Sequence, residues 1–119
     1  MSRLFHVNAF SQHPFGGNPA IVVLGPERSD AELQAMAAEF NLSETAFLSP
    51  LGEAHYRLRW FTPTVEVDLC GHGTLAAAHV LLWQTGAVAR SQVLRFETRS
   101  GLLEASAEGE WIRLDFPRI

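Results

Sequence analysis

The sequence predicts an α+β domain, and three observations predict it. Short segments spread along the chain alternate apolar and polar residues, the period of half-buried strands. One stretch, Leu75 to Trp83, is apolar nearly all the way round, with only Thr74, His79 and Gln84 interrupting it, so it reads as a long helix threaded through a core. A second stretch, Ser29 to Phe40, is apolar on one face only and reads as a shorter amphipathic helix. With 119 residues, 47% of them hydrophobic, the chain fits one domain spanning 1–119.

The first strand is expected over Leu4 to Phe10, with Phe5, Val7 and Ala9 on one face. Ser11 to Pro19 is a loop by composition, and Asn18, between Gly17 and Pro19, sits in a stiff turn. Ala20 to Leu24 is a second, more buried strand closed by Gly25-Pro26. In the amphipathic helix Ser29 and Glu32 have capping-box spacing, and Leu33, Met36, Ala37 and Phe40 share a face. Asn41 suits the left-handed residue that ends it.

Leu42 to Leu48 reads as a strand bounded by Pro50, followed by a turn over Leu51 to Ala54. Tyr56, Leu58 and Trp60 alternate with Arg57, Arg59 and Phe61 in the next strand. Arg57 and Arg59 suit either an anionic ligand or a solvated strand face. Thr62-Pro63-Thr64 breaks that run. Val65, Val67 and Leu69 then alternate with Glu66 and Asp68 in a strand ending at Cys70. Gly71-His72-Gly73 turns the chain into the buried helix, which stops at Gly86. Gln92 to Thr98, Gly101 to Ala107 and Trp111 to Pro117, joined by short turns, form an antiparallel meander.

Composition narrows the function. A net charge of -4 without a basic run argues against nucleic acid or an anionic membrane surface as partner. No apolar run is long enough to cross a bilayer, and a cytoplasmic protein is the expectation. The single cysteine rules out an internal disulfide, and the scattered histidines show no metal-ligand spacing, so no metal is expected. All nine basic residues are Arg. Without Lys there is no pyridoxal phosphate aldimine and no lysine base or nucleophile. An enzyme acting here at a carbon acid uses carboxylates, His or Cys.

The strand, glycine turn and helix around Cys70-Gly71-His72-Gly73-Thr74 offer the main chemical opening. Glycines allow close backbone approach, and a helix N-terminus favours a carboxylate or phosphate. The same residues also suit a tight turn with a buried thiol and a satisfied imidazole. A Cys70 nucleophile activated by His72 is a weaker option, because residues two apart across a turn need not face each other. Glu44, at the edge of an apolar strand, reads either as an acid/base tuned by partial burial or as a solvent-facing strand residue.

Phe15-Gly16-Gly17-Asn18-Pro19-Ala20, Asn41-Leu42-Ser43-Glu44-Thr45, Phe61-Thr62-Pro63 and Asp68-Leu69-Cys70-Gly71-His72-Gly73-Thr74-Leu75-Ala76-Ala77-Ala78-His79 together resemble the PhzF-like phenazine-biosynthesis isomerase family, which shares its fold with diaminopimelate epimerase. The resemblance implies mixed, mainly antiparallel strands curled barrel-like around one long buried central helix. It implies cofactor-independent proton transfer at a carbon of a small carboxylate substrate, with Glu44 as acid/base and His72 as a catalytic position contacting substrate. Asn18 resembles a cleft-lining residue, and Gly71, Gly73 and Thr74 join it as expected substrate-binding residues. Cys70 matches a catalytic thiol of diaminopimelate epimerase, where two cysteines act on opposite faces of the carbon; one cysteine excludes such a pair within this chain.

The resemblance further implies an architecture of two pseudo-symmetric domains with the active site between them, of which the chain would correspond to the N-terminal one. The chain is then expected to be either a fragment or truncated product, or a half that completes the site as a homodimer or by pairing with a second similar domain. The alternative is a catalytically silent half-domain serving as a binding or dimerisation module.

Overall fold

The computed structural model describes residues 3–9, 18–68, 71–86, 88–109 and 111–115, the side chains of residues 6–9, 18, 19, 71 and 72 excepted. The first two strands, β1 (Arg3–Ala9) and β2 (Asn18–Leu24), pair antiparallel. Helix α1 (Asp30–Phe40) then returns the chain so that β3 (Glu44–Gly52) lies parallel to β2. Both ends of α1 are set by local chemistry. The Ser29 hydroxyl accepts from the Glu32 amide and the Glu32 carboxylate accepts from the Ser29 amide, while Asn41 ends the helix at φ 52°. Ser29→Ala is expected to cost about 1 kcal/mol, seen as a lowered urea midpoint, because it leaves the first-turn amide of Glu32 uncapped.

β3 runs through Pro50 instead of stopping at it. The reason is topological. β2 accompanies β3 only as far as Leu48, so beyond that point one side of β3 is an edge, where a residue without an N-H is tolerated. The ladder to β4 (His55–Phe61) slips between Pro50 and Gly52, and the expected turn contracts to Glu53-Ala54, with Ala54 at φ 51°.

Strand β4 is the hub. It pairs with β3 on one side; on the other, β5 (Glu66–Val67) pairs with its C-terminal end and β6 (Leu94–Thr98) runs parallel to its N-terminal end. β7 (Gly101–Glu108) and β8 (Trp111–Asp115) complete the expected meander. The sheet is therefore mixed and mainly antiparallel, in the order β1-β2-β3-β4-β6-β7-β8.

Helix α2 (Gly71–His79) packs against β1, β2 and β3 and also against β8, so both ends of the sheet reach it and the sheet curls around it. Ala76, Ala77 and Ala78 are fully buried there with Val22, Leu58 and Trp60 from the sheet. In place of the one long α-helix expected, nine α-helical residues are followed by a π-helical turn, Val80–Gln84, closed by Thr85 N-H to the Val80 carbonyl at 2.9 Å. The wider turn coincides with three consecutive buried side chains, Val80, Leu81 and Leu82. Gly86 follows at φ 63°, as a C-terminal glycine should. On the other face of the sheet, Leu33 and Ala37 of α1 cover Ile21, Val23, Phe47 and Phe61. No helix among the described residues is long and apolar enough to cross a membrane.

Candidate functional site

Glu44 is the first residue of β3 and is half-buried. Side chains alternate along a strand, and Ala46 and Leu48 lie in the core shared with α2, so Glu44 belongs to the α2 side of the sheet. Its backbone is in register with Ala20 of β2, whose neighbours two residues back begin with Asn18. Asn18 and Glu44 thus open two adjacent parallel strands at the same end, and α2 rests on both strands.

The route into α2 comes past the same quarter. Thr45 of β3 is opposite Phe61 of β4, and Phe61 is opposite Glu66 of β5, so the strand leading to α2 starts two strands over from Glu44. Neighbouring strands are about 4.8 Å apart, which sets that lateral separation near 10 Å. α2 then begins at Gly71, with His72 second; Gly73 and Thr74 are buried in its first turn. First-turn N-H groups carry the positive end of the helix dipole. Cys70 lies outside the described residues, and of Asn18, Gly71 and His72 only the backbone is placed.

The opposite face of β4 carries a charge network that sequence reasoning missed. Arg59 is neither a ligand-seeking cation nor a simply solvated one: its Nε and one terminal nitrogen each donate to a Glu66 carboxylate oxygen at 2.8 Å, and it also bonds Asp30 at 2.9 Å. Arg99 adds a 3.1 Å contact to Glu66, and Arg57 pairs with Glu27. The signal in the sequence was weak. An acid seven residues after an arginine becomes its partner only if the chain doubles back on itself.

Hydrogen bonding from Arg59 holds the Glu66 carboxyl below the usual range, against the opposing effect of its burial. A depressed carboxylate contributes stability above its unfolded-state pKa and loses that contribution as pH falls through the folded-state value. Glu66→Gln is therefore expected to cost about 1.5–3 kcal/mol at neutral pH. The gap between variant and parent in urea unfolding should close as pH is lowered below about 4.3.

The residue pattern and this architecture meet in one comparison. Residues 7–116 match the family described as PhzC-PhzF, phenazine biosynthesis-like protein. The chain belongs to the PhzC-PhzF family. Among its relatives, an uncharacterised isomerase of Halalkalibacterium halodurans is 54% identical over 115 residues, covering 96% of this chain and 43% of that protein. A phenazine biosynthesis PhzC/PhzF protein from Clostridium difficile superimposes with a TM-score of 0.82 at 42% identity, covering 100% of this chain and 45% of the other. A PhzF family protein from Enterococcus faecalis gives a TM-score of 0.82 at 44% identity, over 94% of this chain and 43% of the other. The chain thus spans less than half the length of these PhzC-PhzF relatives.

Proposed function

We propose that the chain supplies the N-terminal half-site of a cofactor-independent isomerase or epimerase acting on a small carboxylate. The observation that carries this reading is the placement of Glu44 on the α2 side of β3, beside the strand that opens with Asn18. Support also comes from relatives named as isomerases. In this reading the Glu44 carboxylate removes a proton from an activated carbon and, as the carboxylic acid, returns one to another position or to the other face. Amides at Gly71-His72-Gly73, with Asn18 and Thr74, hold the substrate carboxylate, and His72 hydrogen-bonds the substrate or shuttles a proton. Cys70, which directly precedes Gly71 in the sequence, is the further catalytic candidate. The absence of lysine supports a mechanism that does not pass through a pyridoxal aldimine.

A second domain, or a second copy of the chain, completes the cleft. The test is solvent exchange. The chain, alone and with a candidate second half, is incubated in D2O with a panel of small carboxylic acids, and carbon-bound deuterium is followed by NMR. Incorporation dependent on protein supports the reading; none with any acid defeats it.

A second reading, a silent module that pairs with a partner, draws on the edge strand β8, where Trp111 is 79% exposed. A sedimentation experiment showing a dimer, together with no exchange, would favour it.

A further inference from the structure

β5 consists of only Glu66 and Val67 and, among the described residues, pairs with β4 alone. A ladder that short holds little by itself, yet it delivers the chain to the first turn of α2, with only residues 69 and 70 between Asp68 and Gly71. What holds it is a set of side chains from elsewhere. The Ser100 hydroxyl donates to the Asp68 carbonyl at 2.8 Å, and Arg99 contacts the carboxylates of Asp68 at 3.3 Å and Glu66 at 3.1 Å. From the other side Arg59 grips both oxygens of Glu66. The preceding turn is closed by Thr62 N-H to the Val65 carbonyl at 2.8 Å, and Gln34 of α1 donates to the Thr62 carbonyl at 3.0 Å.

The β6–β7 turn that presents Arg99 and Ser100 is itself braced. The Thr98 hydroxyl donates to the Gly101 carbonyl at 2.6 Å and accepts from the Ser100 amide at 3.1 Å.

We infer that Arg99 and Ser100 of the β6–β7 turn are positioning residues for the first turn of α2, acting through Glu66 and Asp68. The inference rests on the reading that this turn of α2 receives the substrate. The magnitudes favour a positional role over a stabilising one. Arg99 and Asp68 are largely exposed, and such a pair contributes little to folding. Three peptide steps separate Asp68 from Gly71, a reach of at most about 10–11 Å. Anchoring the Asp68 carbonyl therefore restricts where Gly71 and His72 begin. A displacement of about 1 Å at a reacting centre costs on the order of 10²-fold in rate.

The test compares the full chain with the Arg99→Gln/Ser100→Ala double variant. Cys70, the sole cysteine, sits within the delivered segment and serves as the probe. Its iodoacetamide labelling rate is measured against pH in the native chain and in urea. The double variant should move toward the unfolded chain's profile, by about fivefold or more in rate at neutral pH. Ser100→Thr, which keeps the hydroxyl, should retain the parent profile, and Arg113→Gln on β8 should leave it unchanged. Where the parent exchanges substrate hydrogen, the double variant should lose about tenfold or more in kcat with little change in KM.

Labelling of the double variant like the parent overturns the inference. So does an equal shift in Arg113→Gln, a parent that already labels like the unfolded chain, or an unchanged kcat in an active protein. A parent with no exchange defeats the isomerase reading alone, because the labelling comparison still decides whether the turn orders this segment.

Discussion

Glu44→Gln should lower the protein-dependent rate of carbon-hydrogen exchange by about 10²- to 10⁴-fold, the usual contribution of a positioned general acid/base. The substitution keeps the size and planar shape of the side chain while removing its charge and its ability to take up and return a proton. Glu44 stands at the start of β3, half-buried, with its neighbours on the strand buried. An isosteric amide at that position should leave the fold intact, and the thermal midpoint should move little. Glu44→Asp keeps the acid but draws it back by one methylene, so an intermediate loss is expected, on the order of 10²-fold for a displacement of about 1 Å. NMR of carbon-bound deuterium measures all three proteins side by side. Full exchange in Glu44→Gln would remove Glu44 from the chemistry, whatever the fate of His72 and Cys70.

The largest effect on stability is expected at Trp60. It is 1% exposed, faces the α2 side of β4, and its backbone lies opposite Ala46 on one side and Val67 on the other. Trp60→Ala should cost about 3–5 kcal/mol, the sum of lost apolar burial and the cavity left behind. A domain of this size has about 5–15 kcal/mol in total, so the variant should unfold at a much lower urea concentration. Trp60→Phe separates two contributions. The indole Nε1 is buried with no hydrogen-bond partner among the described residues, and an unsatisfied buried donor costs about 1–3 kcal/mol. Phenylalanine loses some volume but also discards that donor, so its net cost should be well under half that of alanine. Equal losses in the two variants would mean that the indole N-H is satisfied after all.

Features governed by neighbours in sequence were legible without coordinates. The Ser29–Glu32 capping box, the left-handed Asn41, the alternating face of Tyr56, Leu58 and Trp60, and the β6–β7–β8 meander each follow from backbone preferences or a period of two over a few residues. The composition of the buried helix and the Asn-Leu-Ser-Glu and Cys-Gly-His-Gly stretches were equally visible, and with them the residues proposed for the site.

Only the tertiary structure decided which of those local pieces meet. The parallel pairings of β2 with β3 and β4 with β6 join segments separated by other elements, and no local preference specifies such partners. Pro50 remains within β3 because its neighbour strand ends earlier, a fact about the sheet and not about proline. Arg59 and Glu66 become a bidentate pair, and Ser100 reaches the Asp68 carbonyl, only because β4, β5 and the β6–β7 turn converge on one edge. Alternation alone shows that Glu44 shares a face with Ala46 and Leu48; that this is the face against α2 depends on the curl of the whole sheet. Local energies select helix, strand and turn, whereas the side of a sheet on which a carboxylate stands is set by long-range burial.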